Sequence, residues 1–189
     1  MSKSSQGEWK NNVGQPFYIN IPRLSMLAAE LNYPLNGFDK IGQISRLSDL
    51  GIELGAVLLA FKDIVEIIKP KTLSFSKLRF DEIKHYSLIE FSDRFNSKNS
   101  RQLREGTYNF DNAPHLWKIY DDYKVIMNLN PRWVTTDTAS SSLSRNTEFA
   151  GLCLVKQIDK EQKIVYATPL FIGIPRNLDP FVTFQGHLS

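Results

Sequence analysis

The clearest hydrophobic pattern in the chain covers residues 45–69. Apolar residues recur there at spacings of three, four and one, as they do on one face of an α-helix, and charged residues fill the other positions. The apolar set is Leu47, Leu50, Leu54, Val57, Leu58, Phe61, Ile64, Val65 and Ile68. Pro70 would end the helix, because proline lacks the backbone donor that a helix interior needs. The pattern predicts a long amphipathic helix over about residues 45–69.

Two shorter elements precede this helix. Residues 17–21 form a β-prone run, and Pro22 follows at a position where a helix can begin. Residues 24–31 carry apolar side chains at i, i+3, i+4 and i+7, and Tyr33-Pro34 would end that helix.

The middle of the chain is ambiguous between helix and strand. Residues 73–80 alternate with one slip, which predicts a strand with a bulge. Asp81 and Glu82 favour a helix start, so we expect a helix over 81–95, although residues 86–90 also fit alternation. Residues 92–112 are polar and basic and predict a surface loop. Helical spacing after Pro114 and alternation after Asp122 predict a helix followed by a strand.

The last clear unit is a β-hairpin. Residues 149–158 and 163–172 are apolar or β-branched, and four polar residues join them. Pro169 cannot donate to a strand neighbour, so the second strand is either an edge or bulged there. We expect the 45–69 helix to cover this hairpin. The predicted fold class is therefore α+β, a small mostly antiparallel sheet packed on a long amphipathic helix, with additional short helices.

Composition sets the limits of the fold and its location. The chain has 189 residues, 42% of them hydrophobic and 23% charged, which predicts one globular α+β domain over 16–176, with a flexible leader over 1–15 and a loosely docked tail over 177–189. Cys153 is the single cysteine, so a disulfide within the chain is impossible and a reducing, cytoplasmic location is the simplest expectation. Apolar runs are too short to cross a bilayer, so we expect no membrane association. Neither a Cys/His cluster nor a glycine-rich phosphate loop occurs, so no metal and no cofactor is expected.

A basic segment is the main candidate for ligand binding. Arg94, Lys98, Arg101 and Arg104 lie four, three and three positions apart and would share one face of a helix, with Phe95, Tyr108 and Phe110 nearby. Cations and aromatic rings on an exposed segment suit phosphates and stacked bases. Net charge is only +3, which permits a nucleic-acid partner without requiring one.

A catalytic alternative involves Asp63, Glu82 and Lys84. The Glu82-Ile83-Lys84 tripeptide and the upstream Asp63 resemble part of a restriction-type nuclease core, in which carboxylates hold a divalent cation and a lysine polarises the attacking water. Asp63, however, falls within the long predicted helix, and Glu-x-Lys is a frequent sequence.

The sequence as a whole favours a binding protein over an enzyme. Since no strong catalytic constellation is evident and aromatic residues are 12% of the chain, we expect a non-enzymatic protein-binding or scaffold module that contacts a protein partner or self-associates. The alternative is a protein that binds nucleic acid through Arg94, Lys98, Arg101 and Arg104, or cleaves it through Asp63, Glu82 and Lys84.

Overall fold

The computed structural model describes residues 13–33, 63–64, 67, 73–99, 109, 111–134 and 147–175. Short 3-10 turns occur at Phe75–Lys77, Phe80–Glu82 and Pro131–Trp133. The strands and the helix, in chain order, are β1 (Val13–Ile19), α1 (Ile21–Glu30), β2 (Leu73–Ser74), β3 (Leu88–Lys98), β4 (His115–Tyr120), β5 (Tyr123–Asn128), β6 (Thr147–Asp159) and β7 (Ile164–Pro175).

Five of the strands close into a barrel. β3 pairs antiparallel with β4, β4 with β5, and β5 pairs parallel with β7. β6 then pairs antiparallel with both β7 and β3, which completes the ring. β1 extends the sheet along the far end of β7, and β2 pairs with the start of β3.

The core lies inside this ring because the strands alternate. In β5, Tyr123, Val125 and Met127 are buried, while the residues between them are less so. In β3 the corresponding inward residues are Ile89, Phe91 and Phe95, whose neighbours are more exposed. Successive side chains of a strand point to opposite sides of a sheet, so a closed sheet buries one set completely without a covering helix.

The expected fold class is wrong for this reason. The described part of the chain is mostly strand, its one continuous helix, α1, has ten residues, and the sheet closes on itself instead of packing on a long amphipathic helix. Of the helix predicted over 45–69, the structure describes Asp63, Ile64 and Ile67, all helical, and the rest lies outside the described residues. Ile64 is buried in the core, whereas Ile67 is 48% exposed.

Two further helix predictions are wrong. The segment 81–95 contains a 3-10 turn at Phe80–Glu82 followed by β3, and the segment after Pro114 is β4. Residues 73–80 form only a two-residue strand before 3-10 turns. The surface loop expected over 92–112 is wrong for residues 92–98, which belong to β3.

The terminal hairpin and the first helix are confirmed. Residues 147–159 and 164–175 pair as β6 and β7, with a register shift beside Cys153, the partner of Pro169. Pro169 is tolerated because β5 pairs with β7 only up to Ala167 and β1 begins to pair at Phe171. α1 begins after Asn20, whose side chain accepts the Arg23 backbone N–H at 3.3 Å.

An aromatic cluster lies where β4 ends and β5 begins. The ring of Tyr120 stacks on those of Phe75 and Tyr123, with centroids 5.6 and 5.7 Å apart. The Tyr123 hydroxyl donates to the backbone oxygens of Phe75 and Leu78, at 3.0 and 3.3 Å. These bonds hold the segment that follows β2 against the start of β5.

The domain limits expected from the sequence are only partly within the structure. β1 begins at Val13, inside the segment expected as a leader, and pairs with β7. Residues 1–12 and the tail expected over 177–189 lie outside the described residues. No helix in the described part of the chain combines the length and apolar character needed to cross a bilayer.

Candidate functional site

The outer side of β4, β5 and β7 carries a row of large side chains. The strand register places Asn96 of β3 beside Trp117, Trp117 beside Ile126, and Ile126 beside Tyr166. Each of these four residues is partly exposed. Because residues paired across strands point to the same side of a sheet, the four form one row, which we call the aromatic platform.

Two further rows flank the platform. On one side, Ile119 of β4 pairs with Lys124 of β5, and Ile119 is 61% exposed. On the other side, Lys98 of β3 pairs with His115 of β4. The surface thus combines flat rings, an exposed aliphatic side chain and cations, and it occupies the outer faces of adjacent strands.

Lysine and arginine side chains border the platform. The Lys124 ammonium lies 4.7 Å from the centre of the Trp117 ring, a cation–π contact. Arg94 and Lys98 are exposed on β3. Within the described residues, none of these three side chains forms an ion pair, although Glu148 of β6 is paired with Arg94 in the strand register.

Another lysine near the surface is already paired. The Lys118 ammonium lies 2.8 Å from the Asp93 carboxylate, with both side chains about a quarter exposed, and 5.3 Å from the Tyr120 ring centre. Burial and the negative charge of Asp93 raise the pKa of the Tyr120 phenol. Lys118 therefore neutralises a partly buried carboxylate and is a poor candidate for ligand binding.

The turn between β6 and β7 forms one border of this surface. Asp159 accepts the backbone N–H groups of Glu161 and Gln162, at 3.0 and 2.9 Å, which fixes the turn. Lys163 donates to the Asp122 carboxylate in the turn between β4 and β5, and this hydrogen bond lowers the pKa of Asp122. The two turns are thereby linked at one end of the platform.

The structure places half of the predicted basic segment. Arg94 and Lys98 lie on β3 and not on a helix, yet they still share a side, because an even spacing keeps two residues on one face of a strand. Arg101 and Arg104 lie outside the described residues, as do Tyr108 and Phe110. Phe95 is fully buried in the core and is not a ligand contact.

The residues of the catalytic alternative are not joined in the structure. Asp63 accepts the Tyr33 hydroxyl at 2.7 Å, and Glu82 accepts the Arg79 backbone N–H at 2.8 Å. Glu82 and Lys84 are exposed, and no hydrogen bond or ion pair connects Asp63, Glu82 and Lys84. Among the residues that the structure describes, no group of three His, Cys, Asp or Glu side chains could hold a metal ion.

Sequence reasoning missed Trp117, Ile126 and Tyr166. Assigning the segment after Pro114 to a helix hid the alternation of Leu116 and Tyr120 with the outward Trp117 and Ile119. An all-strand interpretation of residues 115–128 would have placed Trp117 and Ile126 on one side. The sequence around Tyr166 does not show that it lies beside Ile126, because that contact arises from the parallel pairing of β5 with β7.

No protein-family model matches this chain, and no curated protein gives a significant match. The function must therefore be inferred from the geometry of the described residues.

Proposed function

We propose that this protein binds single-stranded nucleic acid on the aromatic platform. The observation that carries the proposal is the row of Trp117, Ile126 and Tyr166 across three adjacent strands, with Lys124 over the Trp117 ring. Unpaired bases stack on exposed aromatic rings whatever their sequence, whereas the bases of a duplex are stacked on one another. The platform is therefore suited to single strands.

Each side chain has a distinct part in this binding. Trp117 and Tyr166 offer ring faces to bases, and Ile126 between them offers an apolar contact. Lys124 holds the Trp117 ring in the free protein and exchanges that ring for a phosphate when a strand binds, since its ammonium has no carboxylate partner among the described residues. Arg94 and Lys98 contact phosphates farther along the strand.

The topology of the barrel supports the same surface. Its ring order and its parallel closing pair agree with those of OB folds, five-stranded Greek-key barrels that bind oligonucleotides and oligosaccharides. In those folds the ligand lies on the second and third barrel strands, which correspond to β4 and β5 here. A shared fold does not determine the ligand, and the side chains of the platform decide what it binds.

The proposal assigns binding and no catalytic step. It retains the Arg94 and Lys98 of the predicted basic segment, whereas Arg101 and Arg104 lie outside the described residues. Cleavage by Asp63, Glu82 and Lys84 is not part of it, because each carboxylate contacts a different partner. The buried, unpaired Cys153 agrees with a reducing compartment, so we propose a cytoplasmic location.

The test is fluorescence anisotropy of labelled oligothymidylate and oligouridylate strands of 20 nucleotides with the full chain. Stacking of one base on an aromatic side chain contributes about 1–3 kcal/mol, so Trp117→Ala should weaken binding about 5- to 140-fold. Trp117→Phe should restore part of the affinity. The matched control is Tyr86→Ala, which removes an aromatic side chain that is 72% exposed but lies off the platform, and its affinity should equal that of the wild type.

Salt dependence and a duplex competitor complete the test. If Arg94, Lys98 and Lys124 each neutralise one phosphate, the logarithm of the binding constant should fall with a slope of about −2 against the logarithm of salt concentration. A hairpin duplex should compete poorly. The proposal fails if neither strand binds below about 100 μM at low salt, if the duplex binds as tightly as the single strand, or if Trp117→Ala and Tyr86→Ala behave alike.

A further inference from the structure

A second surface lies on the opposite side of the barrel from the aromatic platform. It is a groove of about 350 Å³ between α1 and the outer side of β6. Its floor is aliphatic, with Leu27 from α1, Leu88 from β3, Leu154 from β6 and Leu170 from β7. In the barrel ring, β6 lies between β3 and β7, whereas the platform is centred on β4 and β5. The two surfaces are therefore centred on different strands of the ring.

Two large side chains at the rim of the groove are exposed to solvent. Met26 is 53% exposed and Tyr86 is 72% exposed. The Tyr86 backbone has φ of 62°, a conformation that a bulky residue rarely adopts. Its N–H donates to the Val155 oxygen at 2.9 Å, and the Val155 N–H donates to the Ser87 oxygen at 3.0 Å, so β6 holds the strained residue with its ring at the rim. Strain and exposed apolar side chains are both typical of interaction sites.

Two cations flank the apolar floor from opposite walls. Arg23 lies on α1, and its guanidinium contacts the Met26 sulfur at 3.8 Å. Lys156 lies on β6, with its ammonium 6.0 Å from the centre of the Tyr86 ring. Within the described residues, neither cation forms an ion pair with a carboxylate. Among the described residues that line the groove, one is acidic, Glu30. The charges complement a ligand with acidic groups on either side of apolar ones.

We propose that this groove binds an acidic segment of a partner protein whose apolar side chains enter between α1 and β6. The volume is at the small end of the roughly 300–1,000 Å³ of ligand sites, so a few side chains fit and a larger body does not. Methionine adapts its shape to such anchors. A nucleic-acid strand suits the groove less, because its floor consists of leucines with no ring on which a base could stack.

The experiment is a selection of random 16-residue peptides, displayed on phage, against the immobilised full chain. Enriched peptides should carry a net negative charge and two or three large apolar residues. The tightest of them, made synthetically and labelled, is then measured by anisotropy. Met26→Glu and Lys156→Glu alter exposed or partly exposed side chains, so both variants should fold, and each should weaken binding at least tenfold. Lys160→Glu is the matched control, since it makes the same charge reversal in the β6–β7 turn, and it should not change the affinity.

Three outcomes would overturn the proposal. The first is a set of selected peptides that shows no bias toward acidic and apolar residues, or that binds the Met26→Glu and Lys156→Glu variants as tightly as it binds the wild-type protein. The second is displacement of the peptide by oligothymidylate, which would make the groove an extension of a nucleic-acid site. The third is a dimer of the free protein that Met26→Glu dissociates, which would make a second copy the occupant. Trp117→Ala should leave peptide binding unchanged, so loss of the platform function and loss of the groove function are measured separately.

Discussion

Replacement of Gly151 by alanine tests whether the barrel closes as tightly as the structure indicates. Gly151 lies in β6, opposite Phe91 of β3 and Ile172 of β7, in the strand that joins the two ends of the ring. A Cβ atom at this position would lie 2.1 Å from the Phe171 carbonyl oxygen and 2.9 Å from the Phe91 ring. The first distance is almost 1 Å shorter than separations that Cβ atoms adopt in folded proteins.

The backbone around this contact has little freedom to relax. Phe171 pairs with Leu152 of β6 on one side and with Ile19 of β1 on the other. Moving its carbonyl group would therefore disturb hydrogen bonds along two strand pairs. Added atoms in a packed core cost about 1–3 kcal/mol, and contact with fixed backbone places Gly151→Ala near the upper value.

The assay is thermal unfolding followed by circular dichroism. For a chain of this length, 1 kcal/mol lowers the melting temperature by about 2–4 °C, so a cost of about 3 kcal/mol predicts a decrease of about 6–12 °C. Ser92→Thr adds one carbon at an exposed position of β3 and should change stability by less than about 0.5 kcal/mol. A melting temperature of Gly151→Ala within about 2 °C of the wild type would refute the close approach of β6 and β7.

Two further predictions follow from buried ionisable groups. Burial raises the pKa of the Cys153 thiol, which donates to the Ile89 oxygen at 3.5 Å. A disulfide-exchange reagent at pH 8 should therefore label Cys153 only after the protein is unfolded in urea. Labelling of the folded protein within minutes would contradict this. Burial also raises the pKa of the Tyr120 and Tyr123 phenols above the ordinary 10.0, so the folded state holds these protons more tightly than the unfolded chain. This stabilisation of the folded state is complete below about pH 9 and declines as the pH rises past 10. The urea concentration at the midpoint of unfolding should therefore fall above about pH 10. A midpoint that stays constant from about pH 8 to 11 would be inconsistent with this prediction.

The elements that the sequence predicted correctly are those whose signals are local. The β6–β7 hairpin could be predicted because two β-branched runs flank a short polar turn. The Asp159 side chain fixes that turn through hydrogen bonds to backbone N–H groups two and three residues later. α1 was predictable from Pro22 and from an apolar face of one helical period. In both cases the neighbours that decide the structure are only a few residues away.

The strands that the sequence misassigned share a particular ambiguity. Phe91 and Phe95 are four residues apart, and so are Leu116 and Tyr120. Two residues at that spacing share a face in a helix, and they also share a face in a strand, because four is an even number. The acidic pair after Phe80 then favoured a helix start, but it marks a 3-10 turn instead. Pairing decides in favour of strands: β3 pairs with β6, which lies far along the chain, and β4 pairs with β5 across a short turn.

The candidate site was hidden by the same dependence on pairing. The basic segment drew attention to Arg94 and Lys98, which do border the aromatic platform. Trp117 and Tyr166, however, are far apart in the sequence and meet only because Ile126 pairs with both. The parallel pairing of β5 with β7 requires closure of the whole ring, and a residue pattern within one segment carries no information about it.

The charge of the chain determines how the platform must hold a single strand. The chain carries 23 basic and 20 acidic residues, so its long-range attraction for a polyanion is weak. With phosphate contacts from Arg94, Lys98 and Lys124 alone, the binding constant depends only weakly on salt concentration. Most of the binding free energy then has to come from stacking of bases on the rings. At physiological salt, Trp117→Ala should therefore cost more affinity than Arg94→Ala or Lys98→Ala. The opposite order would mean that the strand is held by its phosphates, and the rings of the platform would need another explanation.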